Sequence, residues 1–154
     1  MPSFLRLPRR SEKPRFVGLT HVIDKGLPVG ELESRLAAVG EYVDVWKLGF
    51  GTAYLDPTVE DKVAALERAG IRACLGGTLL EVAWAQGRAE ECLDWAGETG
   101  FACVEVSNGT CAMPLEAKPP HHDRQSEVRG HLRGGIQGPL GAGVGLLVGR
   151  GNGR

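Results

Sequence analysis

Four short runs rich in apolar and β-branched residues recur along this chain at a spacing of roughly 27 residues: FVGLTHVID (16–24), VDVWKLGFG (43–51), IRACLGG (71–77) and FACVEVSNGT (101–110). Each closes on a polar or glycine-bearing cluster: DKG (24–26), KLGFGT (47–52), GGTLLE (76–81) and EVSNGT (105–110). A helix-like segment follows each cluster. A strand buried on both faces reads as a nearly continuous apolar run, and strands alternating with helices across short connections require a parallel sheet with right-handed crossovers. The carboxyl ends of such strands share one rim, so the four clusters are expected to converge on one site.

The intervening segments carry helical signals. VGELESRLAAVGEY (29–42) puts Leu32, Leu36 and Val39 on one stripe and ends at Gly40. Asp56 is a candidate cap with Pro57 in the first turn, and Val59, Val63 and Leu66 share the next helical face, which Gly70 closes. Thr78 is a second candidate cap, with Glu81 as its capping-box partner, and that helix runs to about Thr99 with an interruption at Gly87. Residues 1–15, with Pro2, Pro8 and Pro14 among basic side chains, read as a flexible leader whose charges are solvated.

At 154 residues the chain is long enough for one buried core, yet short of the roughly 250 residues of a complete (β/α)8 barrel. A net charge of −1 gives no reason to invoke nucleic acid or an acidic membrane surface. Cys74, Cys92, Cys103 and Cys111 lack paired CxxC spacing and lie in apolar surroundings, the pattern of free thiols in a reducing compartment. No apolar stretch reaches the length of a membrane span and no signal-peptide core is present, so a cytoplasmic location is expected.

Beyond about Lys118 the character changes. No Phe, Tyr or Trp follows Phe101, glycine becomes the commonest residue, and neither a helical nor a strand period is visible. A natural glycine-rich tail is one explanation, because such a composition does not fold by itself. A slip of reading frame is the sharper one. HLRGGIQGPL (131–140) has a permitted spelling, CAC CTC CGA GGT GGG ATC CAA GGA CCC CTC, which read one base later gives TSEVGSKDP. Residues 119–154 are therefore expected to be a non-native or disordered tail. His121, His122 and His131 resemble a metal cluster only by composition.

GLTHVIDKGL, VDVWKLGFGTAYL, GGTLLEVAWAQG and GFACVEVSNGT, taken in order, resemble the phosphosulfolactate synthase family over residues 16 to about 118. The resemblance implies the first half of a (β/α)8 TIM barrel and addition of sulfite to phosphoenolpyruvate, giving (2R)-O-phospho-3-sulfolactate on the route to coenzyme M. It also implies Mg²⁺ as cofactor and a homo-oligomer for the intact protein. The family carries an EVGxK segment next, which the shifted frame restores. This chain has GIQGP there and lacks both the acid and the lysine.

That chemistry gives roles to particular residues. Phosphoenolpyruvate and sulfite bring several negative charges, which Lys25 and Lys47 at neighbouring strand ends are suited to neutralise. Glu105, with Asp24 second, is the candidate Mg²⁺ ligand. Gly76, Gly77 and Thr78, and the loop Ser107, Asn108, Gly109 and Thr110, are candidate substrate or phosphate contacts, although both patterns also suit ordinary turns. Glu81 stands between site and cap. Trp46, Trp84, Trp95 and His21 read as core residues. Two other functional classes stay open: a non-catalytic or stress-protective relative, and a small α/β anion-binding module.

Overall fold

The computed structural model describes residues 4–6 and 8–111, together with the backbone of Gly145–Val148. In chain order the elements are β1 (His21–Asp24), α1 (Val29–Val39), β2 (Val45–Leu48), α2 (Thr52–Leu55), α3 (Val59–Arg68), β3 (Arg72–Leu75), α4 (Gly77–Ala85), α5 (Ala89–Thr99), β4 (Cys103–Val106) and β5 (Gly145–Val148), with a 3-10 turn over Gly40–Tyr42. The sheet order is β1-β2-β3-β4-β5. The first four strands are parallel, as expected for the opening half of a (β/α)8 barrel.

The strands are shorter than the apolar runs that announced them. Phe16 and Val17 stay exposed ahead of β1, because the chain is still being turned there: the Thr20 N–H donates to Asp44 Oδ2 at 2.8 Å before the ladder begins. The leader's charges are also not all solvated. Arg15 is buried and pairs with Asp44 at 2.9 Å, Arg10 reaches the same carboxylate at 3.4 Å, and Lys13 donates to the Gly40 carbonyl at 2.8 Å. These bonds tie the leader to the amino-terminal side of β2.

Helical packing follows the periodicity, most closely in α3, where Val59, Val63 and Leu66 are all buried against the sheet. Each such side chain contributes about 1.5–3 kcal/mol by leaving water. On α1 the stripe is narrower: Leu32 is fully buried, Leu36 partly, and Val39 is exposed. The short helix α2 was not apparent from the sequence, and Asp56 does not cap α3 as expected. It accepts from the Thr58 amide at 2.8 Å and pairs with the buried Lys62, closing the α2–α3 corner.

Strand β5 is a further departure. It lies in the tract where no strand period was visible, and it pairs antiparallel with β4, Val104 opposite Leu147 and Glu105 opposite Leu146. The rest of residues 112–154, including the three histidines, lies outside the described residues. Among the described residues no helix is long and apolar enough to cross a membrane.

Candidate functional site

Side chains alternate between the two faces of a strand, so the register assigns each polar residue to a side. Ile23, Lys47 and Cys74 lie abreast, Cys74 is abreast of Cys103, and Glu105 follows Cys103 by two positions. Asp24, Leu48, Leu75 and Val104 form the row on the opposite, helix-covered face. Lys47 and Glu105 therefore share the face turned away from the helices, and Asp24 does not.

On that face Lys47 Nζ donates to Glu105 Oε1 at 2.7 Å, with the two side chains 13% and 15% exposed. The second oxygen, Oε2, accepts the Gly77 N–H at 3.0 Å, so the carboxylate joins β2 to the amino end of α4. His21 is exposed on the same face rather than buried in the core as expected. Partial desolvation leads in holding its pKa below the usual imidazole value, and the Lys47 charge adds to it.

The glycines of GGT are required by close packing. A Cβ at Gly76 would stand 2.7 Å from the Leu48 carbonyl oxygen, and one at Gly77 would stand 2.1 Å from Ser107 Oγ. Their amides are engaged within the protein, Gly76 N–H with Leu48 O at 2.9 Å and Gly77 N–H with Glu105. These two N–H groups are thus not presented to a phosphate in this conformation.

The expected capping box is absent, since Thr78 lies inside α4 and Gly76 precedes the helix without a side-chain cap. Glu81 is instead almost wholly buried, and its carboxylate accepts from the Ser107 hydroxyl and from the amides of Gly109 (3.1 Å), Thr110 (2.6 Å) and Cys111 (2.6 Å). Burial by itself raises a carboxyl pKa, but the Ser107 hydroxyl and the three amides outweigh it and hold Glu81 below its ordinary value. Thr110 Oγ1 also donates to Thr78 Oγ1 at 3.4 Å.

Asp24 does not fit a metal. It is 1% exposed; Oδ1 accepts from the Gly26 and Leu27 amides at 2.7 and 2.8 Å, and Oδ2 accepts from Trp46 Nε1 at 3.3 Å. Its neighbour Lys25 is exposed, with its ammonium 5.9 Å from the centroid of the Phe50 ring. Phe50 has φ 57, in the left-handed region, where a bulky residue is strained. Cys74 and Cys103 are buried and free, while Cys92 and Cys111 are partly exposed. The Cys103 contact and then burial hold the Cys74 thiol protonated. Among the described residues no group of three His, Cys, Asp or Glu side chains is set to hold a metal ion.

The model of the (2R)-phospho-3-sulfolactate synthase (ComA) family matches residues 8–128. The chain belongs to the phosphosulfolactate synthase family. It is 40% identical over 103 residues to the phosphosulfolactate synthase of Methanocaldococcus jannaschii, covering 66% of this chain and 41% of that one. It is 34% identical over 114 residues to that of Bacillus subtilis, covering 74% and 45%. It is 37% identical over 113 residues to that of Methanothermobacter thermautotrophicus, covering 72% and 44%. The chain thus spans less than half the length of these phosphosulfolactate synthases. The match also takes in the docked leader residues Arg10, Lys13 and Arg15, upstream of where the motifs begin.

Proposed function

We propose that these residues form the first half of a site that adds sulfite to phosphoenolpyruvate, giving (2R)-O-phospho-3-sulfolactate. Family membership supports the reading, and the observation that carries it is Lys47, held by Glu105 on the sheet face turned away from the helices. In this reaction the sulfite sulfur bonds to the methylene carbon, the π electrons of the double bond pass toward the carboxylate, and a proton is then delivered to the phosphate-bearing carbon. Charge builds on the carboxylate in the transition state, where a fixed cation stabilises it most.

Lys47 is that fixed cation in this scheme, because Glu105 and the strand hold its ammonium in one place. Lys25, exposed at the neighbouring strand end, draws the substrate anions in. Mg²⁺ belongs to the proposal for the whole-length protein. Asp24 does not fit it, and Glu105, 15% exposed, is the one described carboxylate of the expected pair that faces the site. The proton donor in this scheme is the lysine of EVGSK, present only in the shifted frame, so the 154-residue chain is inactive on this reading.

The test compares the chain as written with a frame-restored, whole-length version, following phosphoenolpyruvate by phosphorus NMR with sulfite and Mg²⁺ supplied. The restored protein is expected to consume phosphoenolpyruvate only when sulfite is present. Losing a positioned general acid costs about 10² to 10⁴ in rate, so the 154-residue chain should fall at least that far behind. Equal rates would overturn the choice of proton donor, and no sulfite-dependent turnover in the restored protein would overturn the function.

A further inference from the structure

The loop after β4 presents a hydroxyl and three consecutive amides to one point, an arrangement that binds anions. In this protein the anion at that point is the protein's own Glu81, on α4. We infer that Glu81 is a positioning residue, whose buried carboxylate fixes the shape of the 107–111 loop and so sets how that loop meets the anionic substrate.

Three observations converge on this. The carboxylate is 1% exposed and engages four donors, all of them on residues 107–111. The loop is also pressed from below by Gly77, where nothing larger than hydrogen fits beneath Ser107, so its position is limited from two sides. And the Gly77 amide is held by Glu105, the partner of Lys47, so the loop and the charged pair are referred to the same turn of chain. Because the amides of Gly109, Thr110 and Cys111 are occupied by Glu81, the loop's contribution to a substrate falls to its outward groups, among them the Thr110 hydroxyl beside Thr78. The substrate part of this inference rests on the function proposed above; the hold of Glu81 on the loop does not.

The test uses the whole 154-residue chain with Glu81→Gln, Glu81→Ala and Glu81→Asp, and reads two quantities. The first is hydrogen exchange at the Gly109, Thr110 and Cys111 amides, with Cys74 and Val104 as sheet references. Glu81→Ala is expected to speed exchange at the loop amides about 10-fold or more while the reference amides are unchanged. The second is the dissociation constant for phosphoenolpyruvate, expected to rise about 10-fold to 100-fold in Glu81→Ala and Glu81→Gln, with Glu81→Asp partly restoring it. Faster exchange with an unchanged dissociation constant would make Glu81 merely structural and overturn the inference, and so would unchanged loop exchange. If Glu81→Ala and Glu81→Gln do not fold, Glu81→Asp alone decides, by the same two readings at smaller amplitude. If the unsubstituted chain does not bind phosphoenolpyruvate, the substrate part of the inference is overturned while the function proposed for the whole-length protein keeps its own test, and the exchange rates by themselves uphold or overturn the hold of Glu81 on the loop.

Discussion

Lys47 on β2 and Glu105 on β4 meet across the intervening strand β3, Nζ to Oε1, at 2.7 Å. The pair spans two strand spacings on one face, which only two long side chains leaning toward each other can do. Each charge is mostly screened from water, so removing one strands the other. Lys47→Met and Glu105→Gln should each lower stability by about 1.5–3 kcal/mol, the range for hydrogen bonds to charged groups. The double variant should lose clearly less than the sum. Urea unfolding of the four proteins gives the coupling, and strict additivity would dissolve the pair as an energetic unit.

The leader offers a stronger test. Arg15 and Asp44 are each 4% exposed at the side chain and 2.9 Å apart. Breaking a buried pair on one side costs about 3–5 kcal/mol. Arg15→Ala should therefore lower the melting temperature far more than Arg9→Ala, whose side chain is exposed. Similar losses for the two would mean that the leader is not docked.

Acid should destabilise the protein through named carboxylates. Burial tends to raise the pKa of Asp44, but the Thr20 amide, Arg15 and Arg10 bring it below 3.8. At Asp56, Lys62 and Thr58 likewise outweigh burial, and Glu81 lies below 4.5. A carboxyl whose folded pKa is depressed contributes stability above its unfolded pKa and loses it as pH falls through the folded one. Unfolding free energy should thus hold level near neutral pH, decline modestly below pH 6.5 because His21 takes up its proton more readily when unfolded, and fall further below pH 4.5, the ordinary value for Glu81. Asp44→Asn should be less stable at neutral pH with a shallower acid limb; an unchanged slope would remove Asp44 from the account.

Gly77→Ala should be costly for a reason unrelated to backbone freedom. The added methyl would lie 2.1 Å from Ser107 Oγ and 3.0 Å from the Glu105 carbonyl oxygen. Overpacking of this kind costs about 1–3 kcal/mol and moves the loop as well as the helix. Gly30→Ala, where nothing lies within 4 Å, is the control and should be neutral or slightly stabilising. Equal melting temperatures for the two variants would contradict the packing at Gly77.

Strand order, polarity and the main helices were legible because β1 to β4 are written as apolar runs, β2 to β4 being largely buried on both faces, and α3 repeats its apolar residues at helical spacing. The assignment of polar residues to sides was not. Asp24 and Lys25 are adjacent letters in one cluster, yet one is sealed beneath the helices and the other stands in solvent. Strand parity counted back from Lys47 would have separated Asp24 from the site, but only once the register was known. Glu81 was half legible: its spacing from Thr78 matches a capping box, and nothing local reveals that its donors come from a loop 26 to 30 residues away. The docking of the leader's charges was not legible, because a basic, proline-bearing segment reads as solvated until its acidic partner, Asp44, is brought beside it.

The hydrogen-bonding edge of β4 has room for a single occupant. Gly145–Val148 takes it with reversed polarity, whereas in a (β/α)8 wall the same edge receives a parallel strand through a crossover helix. Two pairings of opposite direction cannot coexist on one row of amides and carbonyls. On the frameshift account a chain that continues the wall does not carry Gly145–Val148 at all, so the reading frame decides which direction of strand this edge of β4 receives.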